Sequence, residues 1–111
     1  MQKVSEKVVS NNSNVKAAIL EQNGDGPIFQ NDVAAVYPYL SSDNSVVSLI
    51  AFKEGSDTMR LLGRWQLDVN DGKYVISDEY GGVFGFRRPD YWIPDDTIQI
   101  HDKMMSWLNA A

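Results

Sequence analysis

Six residues toward the C-terminal end, Phe86, Arg87, Arg88, Asp90, Tyr91 and Trp92, concentrate the side chains that dominate binding surfaces. Arginine offers planar, bidentate hydrogen bonding and the aromatic rings offer large contact area, so this run has the chemistry of a protein-recognition edge or of a pocket for an anionic ligand. A plainer reading has Trp92 and Ile93 plugging the end of the core while Arg87 or Arg88 pairs a carboxylate. A second group, Trp65, Tyr74, Trp92 and Trp107, would line an aromatic small-molecule pocket between a sheet and the C-terminal helix.

Catalytic chemistry finds little to work with. His101 is the single histidine, and on a helix it does not face its neighbour Asp102, so it reads as a surface or half-buried helix residue rather than a base. No nucleophile elbow, zinc-protease helix, P-loop or dinucleotide fingerprint occurs, and Gly81-Gly82-Val83-Phe84-Gly85-Phe86 has no helix behind it. Asp90, Asp95 and Asp96 beside Tyr91 and Trp92 resemble the carboxylates of a sugar cleft, but a turn after Pro89 and a helix cap after Pro94 explain them more simply. No residue is assigned as catalytic.

The segment Glu21 to Asp32 meets a calcium loop at several positions, with oxygen donors at 1, 3 and 5, glycine at 6 and a carboxylate at 12. It departs where affinity is decided: Glu replaces Asp at 1, the shorter Asp replaces the bidentate Glu at 12, and Phe stands at 9. Gly24-Asp25-Gly26-Pro27 also serves a plain loop. No metal ligand and no cofactor is assigned.

Composition narrows the partner classes. The 111 residues carry 15 Asp and Glu against 10 Lys and Arg, a net charge of −5, and the pI near 4.6 argues against phosphate neutralisation and hence against nucleic acid. The carboxylates do not run together as DNA mimicry would require, so the acidity reads as solubility. Without cysteine there are no disulfides or thiolate sites, which fits a reducing cytoplasm. The charged N-terminus is followed by Ser10-Asn11-Asn12-Ser13-Asn14 instead of an apolar core, so it does not read as a signal peptide, and no apolar run is long enough for a membrane helix.

The elements that would position these residues follow from pattern. Residues 3 to 9 can form two helical turns, and a helix over about 15 to 22 is capped by Ser13 or Asn14 and ended by Gly24. A second short helix is expected over about 32 to 37, capped by Asn31 or Asp32 and stopped by Pro38. Val46 to Phe52 reads as a central strand covered on both faces, and Glu54 to Asp57 as a hairpin loop. Residues 58 to 69 read as a strand in which Gly63 marks a bulge or a close approach. Asp71-Gly72 suits a two-residue type I′ turn pairing Val69 with Tyr74, Leu67 with Ile76 and Arg64 with Glu79. Val83 to Arg88 reads as a fourth strand, and Asp95 or Asp96 caps a helix over about 97 to 109 with Ile100, Met104, Trp107 and Leu108 on one face.

The expected architecture is α+β: short N-terminal helices, a four-stranded antiparallel meander and a C-terminal amphipathic helix packed on the sheet, with the N-terminal helices at its flank or on the same side. Residues 1–14 are expected to fray and 15–111 to form a single domain. The functional expectation is a non-enzymatic, acidic, cytoplasmic protein of inhibitor, immunity or adaptor type that binds another protein. The alternative is a small-molecule-binding domain or modest hydrolase using the aromatic pocket, and an edge strand such as 83 to 88 offers a route to a homodimer.

Overall fold

A computed structural model describes residues 14–24, 26–79, 88 and 90–110. Helix α1 spans residues 14–22. Five strands follow, β1 (Phe29–Gln30), β2 (Ala34–Leu40), β3 (Val46–Lys53), β4 (Met59–Asn70) and β5 (Lys73–Glu79), and then helix α2 (Thr97–Leu108). The strands pair antiparallel in sequence order, giving one five-stranded sheet with β3 in the centre. The chain is thus α+β, with an antiparallel meander and a C-terminal helix as expected, but the sheet has five described strands where four were expected. The helix expected over 3–9, the fraying expected of residues 1–13, and strand residues 83–87 lie outside the described residues; Asn14 is already helical and Arg88 belongs to no strand.

The segment expected as a second helix is strand β2, and this is the main correction. Ala34 and Val36 are buried in one hydrophobic cluster, while Ala35 and Tyr37 are buried in another. The apolar residues between Ala34 and Tyr37 therefore feed two opposite faces with period two, which a strand can do and an amphipathic helix cannot. Asn31 does cap the segment, its Oδ1 accepting from the backbone N–H of Val33 and of Ala34, both at 2.9 Å, but the chain leaves this turn extended. Pro38 is tolerated within β2 because its nitrogen lies on the β1 side of the strand, past the point where β1 ends: Val36, two residues earlier, gives its carbonyl to the Ile28 N–H on that side.

Strand β3 is covered on both faces, as its composition implied. Val47, Leu49 and Ala51 join Leu62, Trp65, Leu67, Trp92, Ile93, Ile100, Met104 and Leu108 under α2. Ile50 and Phe52 join Ile19 of α1 on the other side. The N-terminal helix therefore lies opposite α2, not beside it, and the domain has three layers where two were expected.

Two bulges set the geometry of β4. Leu49 pairs with Gly63 and Ile50 with Leu61, so Leu62 is the extra residue, and it turns into the α2-side core. Gly63 makes this possible because the Trp65 ring lies across it: a Cβ at position 63 would sit 2.7 Å from Trp65 Cη2. The second shift falls between Gln66 and Leu67. Val69 pairs with Tyr74 and Leu67 with Ile76 as expected, but Glu79 meets Trp65 rather than Arg64. Asp71 and Gly72 both have positive φ, 53° and 80°, as the type I′ turn requires. Trp65 and Leu67 are buried in the α2-side core, with Tyr74 and Ile76 partly buried against it, whereas Val69 is exposed at the tip.

Helix α2 starts after Asp96, whose carboxylate makes no capping hydrogen bond. Ile100, Met104 and Leu108 are buried and Trp107 is partly buried against the same core. No helix among the described residues is long and apolar enough to cross a membrane.

Candidate functional site

The connection from sheet to α2 carries the interaction-prone residues, and the structure splits them sharply. Trp92 and Ile93 are 6% and 0% exposed and belong to the core under α2, whereas Tyr91 between them and Asp90 is 83% exposed. A side chain in such a short turn can plug the core or face solvent, and here adjacent residues do each.

Four hydrogen bonds fix the turn. The Ile93 N–H donates to the carbonyl of Asp90. The guanidinium of Arg88 donates from Nε to the Ile93 carbonyl and from Nη2 to the Tyr91 carbonyl at 2.9 Å. The Asp90 carboxylate accepts from Arg60 Nε of β4 at 2.7 Å. Among the described residues Arg88 thus pairs backbone carbonyls and no carboxylate, and the carboxylate of Asp90 is taken by Arg60, which sequence reasoning missed. The signal that existed was register: Arg60 pairs Ala51, whose side belongs to the α2 face of the sheet. Phe86 and Arg87, also expected here, lie outside the described residues.

Beyond the turn, the first residues of α2 present Ile98, 75% exposed. A shallow depression of about 690 Å³ lies alongside it, bordered by Asp95, Asp96, Gln99, Asp102 and Lys103. Neither Asp95 nor Asp96 forms an ion pair among the described residues.

The four aromatic residues of the alternative pocket do gather in the layer between sheet and α2. Trp65 and Trp92 are buried members of the core, and Tyr74 and Trp107 pack against it from partly buried positions. Trp65 Nε1 is buried without a hydrogen-bond partner among the described residues, and the Trp65 ring meets His101 edge-on at 6.4 Å. His101 is half-buried, with Nδ1 3.7 Å from Asp102 Oδ1, too long for a hydrogen bond.

Two asparagines of the calcium-like segment are engaged with the backbone. Asn23, at position 3, is buried, and its Nδ2 donates to the carbonyls of Ile19 at 2.9 Å and Pro38 at 2.8 Å. Asn31 caps the start of β2, as above. Among the described residues no three His, Asp or Glu side chains stand close enough to share a metal ion. Comparison with known proteins adds no assignment: no family model, no curated protein and no solved structure matches this chain.

Proposed function

We propose that this protein is a non-enzymatic, acidic binding domain of inhibitor, immunity or adaptor type whose partner is another protein, recognised around Tyr91. One observation carries the reading. Tyr91 is 83% exposed, yet the turn that presents it is anchored on both sides, by core burial of Trp92 and Ile93 and by the Arg88 and Arg60 contacts. An exposed aromatic ring on a pre-ordered backbone loses little entropy on association, which is the property of an interface anchor. Arg88 and Asp90 border it with polar groups, as the rim of an interface does. A cytoplasmic location and a homodimer through a sheet edge remain part of the proposal as expectations from composition and strand pattern.

The test is affinity capture of the tagged protein from its native lysate beside Tyr91→Ala, a substitution at an exposed position that leaves the core intact. A stoichiometric partner retained by the wild type and lost by the variant, with the unfolding midpoint unchanged, is expected. The same partner on both proteins would remove Tyr91 from the site. Substituting Trp92 instead would open the core and confuse loss of binding with loss of fold.

A further inference from the structure

The two most exposed large apolar side chains among the described residues, Tyr91 and Ile98, stand in the turn before α2 and in the first turn of α2 itself. Ile98 is not a core residue left partly covered. It comes two positions before Ile100, which with Met104 and Leu108 forms the buried stripe, so at 3.6 residues per turn it points away from the core. This side chain gains no burial from the fold, and it borders the depression of about 690 Å³ at the start of the helix. An apolar group presented to solvent beside a concavity is a contact waiting for a partner.

The charge around it states what kind of partner. Asp95, Asp96 and Asp102 border the same depression against one cation, Lys103, leaving two negative charges. Asp102 is four residues on from Ile98 and hence its neighbour on the outer face of α2. The fold does not use these carboxylates: Asp96 precedes the helix without a capping hydrogen bond, Asp95 and Asp96 form no ion pair among the described residues, and Asp102 Oδ1 is 3.7 Å from His101 Nδ1, too far for a hydrogen bond. Nor do they converge on a point, since among the described residues no three acidic or histidine side chains stand close enough to share a metal ion. Negative charge spread around an apolar centre complements an extended cation with an apolar side chain between its charges. Resting on the reading of this end of the molecule as a protein-binding surface, we infer that the outer face of α2 takes a basic segment of the partner, an apolar side chain seated on Ile98 and lysine or arginine side chains on Asp95, Asp96 and Asp102. The net charge of −5 draws such a segment in and repels an acidic or phosphorylated one.

The experiment is titration of the isotope-labelled full chain, followed by amide NMR, with three short synthetic peptides: alternating lysine and leucine, alternating glutamate and leucine, and alternating lysine and serine. The lysine–leucine peptide should give saturable shifts at residues 95–103, weakened by added salt, with the lysine–serine peptide at least several-fold weaker and the glutamate–leucine peptide silent. The double variant Asp95→Asn with Asp96→Asn, and separately Ile98→Ser, should each weaken the lysine–leucine peptide about tenfold, the first by loss of two exposed ion pairs and the second by loss of apolar contact. Unchanged shifts at the Asp71-Gly72 turn would show that each variant is folded. Absence of saturation, an equal response to the glutamate–leucine or lysine–serine peptide, or undiminished binding in both variants would each overturn the inference. Lysate capture separates this failure from that of the Tyr91 reading. A partner lost by Tyr91→Ala but kept by the double aspartate variant would refute the basic segment alone, whereas a partner kept by Tyr91→Ala would refute the Tyr91 reading.

Discussion

Asn109, one residue past the end of α2, brackets the backbone of Tyr74 on strand β5: its Oδ1 accepts from the Tyr74 N–H at 2.7 Å and its Nδ2 donates to the Tyr74 carbonyl at 3.1 Å. The carboxamide does what a neighbouring strand residue would do. At the other side of the sheet, Gln22 at the end of α1 treats Leu40 the same way, accepting from its N–H at 2.7 Å and donating to its carbonyl at 3.1 Å. Each helix thus ends by satisfying a stretch of sheet backbone that no described strand covers, and each contact blocks strand addition at that point. Asn109→Ala should therefore cost about 1–2 kcal/mol in denaturant unfolding and shift sedimentation toward dimer or larger species. A monomer of wild-type stability would show that water replaces the bracket without consequence.

Asn23 extends this device inward. Its amide donates to Ile19 and Pro38 carbonyls from a buried position, so it is both the end of α1 and the missing partner of β2. Asn23→Ala leaves the Pro38 carbonyl buried and unpaired and should destabilise by about 2 kcal/mol. Asn23→Asp should be worse at neutral pH, since an ionised carboxylate can only accept and would face two carbonyls. Equal midpoints for the two variants in urea would refute that ordering.

These contacts also explain what could be read from the residues alone. The Asp71-Gly72 hairpin, the two-sided β3 and the apolar stripe of α2 were legible because each is a local pattern. Strand β2 was not. Val33 to Tyr37 followed by Pro38 looks like a helix stopped by proline, and only the two side chains of Gln22 and Asn23 reveal that Pro38 lies where no N–H is needed. Strand β1 is two residues long, below any periodic signal. At the candidate site, composition found the right segment, but the opposite fates of Tyr91 and Trp92 depend on where the turn meets the core, and Arg60 reaches Asp90 from thirty positions away.

Gly63 tests the packing of the α2-side core. A methyl group there would lie 2.7 Å from the Trp65 ring, which is itself fully buried. Gly63→Ala should destabilise by about 1–3 kcal/mol through overpacking, with a change in tryptophan emission because the indole must shift. Should this substitution leave both emission and midpoint untouched, the ring is not seated against the backbone as described.

Asp43 supplies a pH dependence. It sits in the turn between β2 and β3, and its Oδ1 accepts from the Ser45 hydroxyl at 2.7 Å, the Ser41 hydroxyl at 2.8 Å and the Ser45 N–H at 3.1 Å. The Ser45 hydroxyl first, then the Ser41 hydroxyl and the Ser45 N–H, hold the carboxyl below the ordinary aspartate value. The folded state therefore binds this proton less readily than the unfolded chain. The contribution is fully present above the ordinary aspartate pKa and is lost as pH falls through the lower folded value. Across that acid window, urea midpoints of the wild type should fall more steeply than those of Asp43→Asn; parallel curves would remove Asp43 as a source of acid sensitivity.

Arg88 decides whether the Tyr91 turn is pre-ordered. One planar guanidinium spans the Tyr91 and Ile93 carbonyls, and a lysine ammonium cannot reproduce that fork. Arg88→Lys should therefore keep the charge yet speed hydrogen exchange at residues 91–93, with little change in global unfolding because Arg88 itself is exposed. If turn order is what Tyr91 contributes to recognition, the same variant should weaken the captured partner mainly through faster dissociation, while the exposed ring itself is unaltered. Faster exchange with undiminished affinity would separate the two ideas, leaving Tyr91 as a contact whose presentation does not depend on the clamp.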